Sequence, residues 1–170
     1  MKRLYILRHA KSSWAQPGTG DIDRCLNDRG LEQIKLLNDW LSNSQQPIDH
    51  VICSPSRRTQ ETLAGLRSNF TNSSISIIDS LYLGELDSYL STLGEQRADH
   101  ILLIGHNPTC DELARYLASP KSPAAKKLMA HHFSTGTVAV LDFDKEHWSE
   151  LSQASCKLVE LVRPKELEQV

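Results

Sequence analysis

Short apolar runs alternate along this chain with stretches of helical period, and that alternation restricts the fold more than any other feature. Leu4–Leu7, Val51–Cys53, Ile75–Ile78, Ile101–Ile104 and Thr137–Phe143 read as strands, and Lys157–Val162 as a half-exposed one because it alternates polar with apolar. Between them, Asp28–Leu41 places Leu31, Ile34, Leu37 and Leu41 on one helical face, and Thr59–Phe70 does the same with Leu63, Leu66 and Phe70. Leu86–Leu93 and Thr109–Leu117 complete the helical set. Strands alternating with helices predict an α/β domain around a mainly parallel sheet. The last two strands are separated by Asp144–His147, which predicts a hairpin and one antiparallel edge strand.

The chain has 170 residues and fits a single domain over 1–164, with a charged, loose tail over 165–170. A chain of this length buries roughly 70% of its unfolded surface and needs no disulfide or metal to hold a core. The net charge of −2 argues against a nucleic-acid binder or a basic membrane patch. Cys25, Cys53, Cys110 and Cys156 form no CxxC pair, so they read as reduced, structural thiols in a cytoplasmic protein, with no metal expected. No run reaches transmembrane length, and Leu4–Leu7 is too short for a signal-peptide core.

Three of the strong strands end in basic residues. The first ends in Arg8-His9, the second is followed by Ser54-Pro55-Ser56-Arg57-Arg58, and the fourth by Gly105-His106-Asn107-Pro108. Ligands of open α/β sheets bind beyond the carboxyl ends of the strands, so parallel neighbours would bring these residues into one crevice. Such a cluster of cations is costly until an oxyanion joins it, and the arginine fork suits a phosphate. Ser54-Pro55 and Asn107-Pro108 each pair an N-cap residue with a proline suited to the first helical position, which adds helix N-termini to the crevice. Each feature alone has an ordinary reading as a loop, a helix start or a solvated face. Their equivalent placement after three strands predicts an anion site.

Arg8-His9, Ser-Pro-x-x-Arg-x-x-x-Thr from Ser54, Gly105-His106-Asn107-Pro108 and the helix entry Leu26–Gln33 together resemble the histidine phosphatase (phosphoglycerate-mutase-like) superfamily, over Leu4 to about Phe143. The short chain without a large insertion resembles the small SixA-type phosphohistidine phosphatases. The resemblance implies a three-layer α/β/α sandwich and a metal-independent, cofactor-free hydrolase. It implies that His9 is the nucleophile carrying a transient phosphoryl group, that Arg8 and Arg58 clamp the phosphoryl oxygens, and that His106 donates a hydrogen bond to them. The sequence departs from the pattern at Ala10 (usually glycine), Asn27 (usually threonine) and Glu61 (commonly glutamine). Glu61 puts a negative charge within a turn of Arg58.

The leaving group separates the functional readings. A phosphohistidine on a carrier or phosphorelay protein is the first. A small phosphate ester is the second, and it needs a general acid, for which Glu85 is the candidate beside its ordinary role at a helix N-terminus. The third is a non-catalytic module that binds phosphate or a phosphoprotein. Trp14 and Lys11-Ser12-Ser13 follow the nucleophile and either line the entrance or pack as plain loop. His50, His100, His131, His132 and His147 read as ordinary surface residues.

Overall fold

The computed structural model describes residues 1–14 and 16–169. Its six strands are β1 (Lys2–Arg8), β2 (His50–Cys53), β3 (Ser74–Ile77), β4 (His100–Gly105), β5 (Val138–Phe143) and β6 (Lys157–Val162). They form one sheet in the order β3-β2-β4-β1-β5-β6. The first four strands are mutually parallel, whereas β5 runs antiparallel to both β1 and β6. The hairpin expected at one edge is therefore β5–β6, and the antiparallel strand itself lies one place inside that edge.

Among the described residues six helices cover the sheet: α1 (Asp28–Ser44), α2 (Arg57–Leu66), α3 (Leu86–Gly94), α4 (Thr109–Leu117), α5 (Ala125–Ala130) and α6 (Pro164–Leu167). Alternation along the central strands divides the core in two. Leu4 and Ile6, with Ile101, Leu103, Ala139 and Leu141, face Tyr89 and Leu93 of α3, Leu113 and Leu117 of α4 and Leu128 of α5. Tyr5 and Leu7, with Leu102, Ile104, Val138 and Val140, face Ile34, Leu37 and Leu41 of α1 and Leu63 and Leu66 of α2. Burial on both faces explains why these strands read as nearly continuous apolar runs. The result is a three-layer α/β/α sandwich.

Several local expectations are corrected. Leu31 is 53% exposed, because the buried face of α1 starts with Gly30 and Gln33 rather than Leu31. The second helix ends at Leu66 and passes into a 3-10 turn before Phe70. α2 is capped by Ser56, whose Oγ accepts from Thr59 N, so Ser54 and Pro55 precede the cap. Asn107 caps nothing, since its Nδ2 donates to the Phe133 carbonyl at 2.8 Å. The α5 helix lacks a clear periodic signal, and His131 and His132 follow it in irregular chain. Of the tail over 165–170, expected to be loose, residues 165–167 belong to the helix Pro164–Leu167, with Leu167 packed on the second core and Glu166 paired to Lys127. Cys53, Cys110 and Cys156 are buried free thiols, and burial pushes Cys53 up to about 12. No helix among the described residues is long and apolar enough to cross a membrane.

Candidate active site

Because β2, β4 and β1 are adjacent and parallel, the loops after Cys53, Gly105 and Arg8 open on one edge of the sheet. His9 is fixed there by its backbone. Its N–H donates to Gly105 O at 3.1 Å, and its carbonyl accepts from Gly136 N at 3.1 Å. Gly136 has φ +74, which suits a glycine, and the same N–H also reaches Arg8 O. The next residues are held by α1 and α2. Ala10 N donates to Thr62 Oγ1 at 3.0 Å, and Lys11 N donates to Gln33 Oε1 at 2.9 Å. Asn27 caps α1 by accepting from Gly30 N at 2.9 Å. At Gly30 a Cβ would stand 2.2 Å from the Lys11 carbonyl oxygen, so only glycine lets α1 approach this loop. The helix entry and the nucleophile loop are thus one packing unit.

His9 is 6% exposed, and its Nδ1 lies 2.7 Å from the Ala10 carbonyl. A carbonyl only accepts, so the proton sits on Nδ1 and Nε2 keeps its lone pair. Burial pulls the ring's pKa down to about 4; the Ala10 bond opposes this, and Arg58, Arg8 and Arg24 add to it. The imidazole is neutral at physiological pH and its free nitrogen is nucleophilic.

His106 faces it, with ring centroids 5.3 Å apart and the planes inclined by 56°. Ser54 Oγ lies 2.7 Å from His106 Nε2. The same hydroxyl oxygen accepts a long bond from Ser56 N and has one proton to offer Nε2. With Ser54 as the donor, the His106 proton lies on Nδ1, a buried atom with no hydrogen-bond partner among the described residues. Burial, then His9 and Arg58, pull His106 down to about 3. A neutral ring with an unpaired buried donor is suited to an anion's oxygen.

The two arginines differ. Arg8 Nη1 donates to Phe133 O at 3.1 Å, sharing that carbonyl with Asn107, while the buried Arg8 Nε has no partner among the described residues. Burial lowers its pKa, and among the described residues no carboxylate forms an ion pair with it. Arg58 is 7% exposed and lies over the Tyr82 ring, with its Nη1 and Nη2 donating to Asp21 O and Oδ2. Arg57 points outward toward Glu61 at 3.6 Å. Glu61 also accepts from Leu26 N at 3.0 Å, so its charge is directed away from Arg58. Glu85 is exposed and makes no side-chain cap bond at the start of α3. Trp14 is 85% exposed, with the Arg24 guanidinium over its ring. Among the described residues no group of three or more His, Cys, Asp or Glu side chains could hold a metal ion.

The structure therefore brings His9, His106, Arg8 and Arg58 together. It also adds Asp21, Tyr82 and Ser54's link to His106, which the sequence reading did not single out. Asp21 and Tyr82 sit in segments without periodicity, and nothing local marks them as partners of Arg58.

A paired histidine and arginine cluster at the carboxyl edge of an α/β sheet defines a class of oxyanion-handling proteins. A family model described as the histidine phosphatase superfamily (branch 1) matches residues 4–88, and the chain belongs to that superfamily, a class of phosphatases. A structure from Nakamurella multipartitia assigned as phosphohistidine phosphatase SixA superposes with a TM-score of 0.81 at 30% identity, covering 96% of each chain. In sequence, this chain is 29% identical to an uncharacterised Mycobacterium tuberculosis protein over 90% of this chain and 96% of that one. It is 26% identical to the phosphohistidine phosphatase SixA of Escherichia coli, over 84% of this chain and 86% of that one.

Proposed function

We infer that this protein is a cytoplasmic phosphohistidine phosphatase that acts on a histidine-phosphorylated carrier or phosphorelay protein through a covalent intermediate on His9. The observation that carries the reading is the protonation pattern of the site. The His9 Nε2 lone pair attacks phosphorus as the P–N bond to the substrate breaks, with the electron pair passing to the departing nitrogen. Arg8, Arg58 and the His106 Nδ1–H hold the charge on the equatorial oxygens. The phosphorylated His9 keeps its Nδ1 proton on the Ala10 carbonyl. The ring is therefore already cationic and leaves as neutral imidazole when water attacks and gives up its proton.

The carboxylates support this substrate class. A departing alkoxide needs a positioned acid, whereas a phosphohistidine protonated at its other ring nitrogen leaves as neutral imidazole. Asp21 is the carboxylate bonded into the site. Its bond from Tyr82, and then those from Arg24 and Arg58, hold it down at about 2 against a smaller opposing effect of burial, so it has no proton to give. Glu85 is exposed, and no ion pair or hydrogen bond among the described residues ties it to His9, His106 or Arg58. The exposed Trp14 and Leu83 stand beside the site segments and leave room for a macromolecular surface.

The test is phosphate release from a histidine-phosphorylated carrier protein, a phosphoserine peptide and a sugar phosphate, by wild type, His9→Ala and Glu85→Gln. We expect cleavage of the phosphohistidine by wild type and Glu85→Gln, and none by His9→Ala. Faster cleavage of an ester, lost in Glu85→Gln, would assign a small-molecule phosphomonoesterase instead. Phosphate binding without release from any substrate would leave a non-catalytic module.

A further inference from the structure

We propose that Asp21 is a positioning residue that aims the Arg58 guanidinium at the phosphoryl group and joins the separate loops of the site into one unit. The inference rests on the reading of Arg58 as a phosphoryl clamp. Four side-chain donors from three residues converge on Asp21. Arg58 Nη1 donates to its backbone carbonyl at 2.8 Å and Arg58 Nη2 to Oδ2 at 3.1 Å. The Tyr82 hydroxyl donates to Oδ2 at 2.6 Å, and Arg24 Nη1 to Oδ1 at 3.1 Å.

The three donor residues belong to different parts of the site. Arg58 stands in the first turn of α2. Tyr82 presents its ring edge-on to His106, with centroids 5.7 Å apart and planes inclined by 74°. Arg24 turns back to the nucleophile loop, where its Nε donates to Ser13 O at 2.8 Å and its Nη2 to Ser12 Oγ at 2.9 Å. Asp21 itself opens a 3-10 turn, Asp21–Asp23, that lies across these elements.

A buried guanidinium on a long side chain has several rotamers, and an anion site gains from fixing one of them before the anion arrives. Asp21 engages one N–H on each terminal nitrogen of Arg58. The Nε–H and the second hydrogen of each terminal nitrogen remain available, which is the set a phosphoryl oxygen pair requires. The carboxylate also moderates the repulsion between Arg58 and Arg8, as Asp111 does from the Arg8 side. Its cost is a negative charge near the phosphate, so Asp21 is expected to act through the geometry of Arg58 and not by attracting substrate.

The test is a double-mutant cycle in the full chain with Asp21→Ala, Arg58→Ala and the pair, together with Asp21→Asn and Tyr82→Phe as milder variants. The readouts are kcat and KM on the phosphorylated carrier, inhibition by inorganic phosphate, and thermal melting. Asp21→Ala should lower kcat/KM about 10- to 100-fold and weaken phosphate inhibition in parallel, and should add little once Arg58 is alanine. The milder variants should show smaller losses of the same kind with unchanged melting. Additive effects in the cycle overturn the proposal, because they mean that Asp21 does not act through Arg58. Unchanged or tighter phosphate inhibition in Asp21→Ala and Asp21→Asn also overturns it, the tighter case marking a carboxylate that competes with phosphate. If Arg58→Ala impairs catalysis while the Asp21 variants do not, this inference alone fails. If Arg58→Ala changes nothing, the clamp reading fails and this inference falls with it.

Discussion

The rings of His9 and His106 face each other at 5.3 Å, and His9 makes protonation of His106 more costly than burial alone would. Two arginines share the same pocket. The site therefore carries its positive charge on guanidinium groups and keeps both imidazoles neutral, one to attack phosphorus and one to donate a hydrogen bond.

That neutrality gives a pH dependence of stability. An unfolded histidine titrates near about 6.5, while burial holds His9 at about 4 and His106 at about 3. Above pH 6.5 both states are neutral and the full stability is present. As pH falls through 6.5 the unfolded chain takes up protons that the native state refuses, so stability declines until the native rings titrate near pH 4 and below. At pH 5 the loss should be on the order of 2 kcal/mol per ring. Thermal melts between pH 8 and 4.5 should fall by several degrees beyond the general acid effect. The slope should flatten in His9→Asn and again in His106→Asn.

Ser54→Ala removes the donor that faces His106 Nε2 across 2.7 Å in a fully buried position. An unsatisfied buried nitrogen costs about 1–3 kcal/mol, and the ring is then free to place its proton on the wrong nitrogen. We expect kcat to fall about tenfold or more, as for loss of one oriented donor, with KM less affected. Imidazole 15N shifts should report the change of tautomer at His106.

Gly30→Ala places a methyl group 2.2 Å from the Lys11 carbonyl oxygen, a backbone atom that cannot turn aside. The helix and the nucleophile loop must separate, at a cost of about 1–3 kcal/mol for overpacking. Because Lys11 follows His9 by two residues, the melting temperature and the rate should fall together. A control at Gly20, where an added Cβ would meet only Asp23 Oδ2 at 3.9 Å, should do neither.

Glu61→Gln should be nearly silent. Its Oε1 accepts from Leu26 N, which an amide oxygen also serves, and the ion pair with Arg57 is half exposed. Such a pair is worth about 0–1 kcal/mol. Steady-state kinetics should stay within about threefold of wild type, a change of well under 1 kcal/mol.

The family motif chose Arg58 over its neighbour Arg57. The sequence by itself determined the order of the strands and of α1–α4, and the strand ends that carry Arg8-His9, Arg57-Arg58 and His106. These are legible because they rest on short-range regularities: run length, helical period and the residues that immediately follow a strand. Three things were decided only by the tertiary structure. Leu31 fell outside the core because α1 gives its first turn to the loop after His9. Ser54 became the partner of His106, 52 residues away, rather than a helix cap. Asp21 met Arg58 and Tyr82 across 37 and 61 residues of chain. No local pattern encodes such pairs, because a turn aspartate reads the same whether solvent or an arginine faces it. Its role appears only when the packed sheet brings the loops of three strands to one edge.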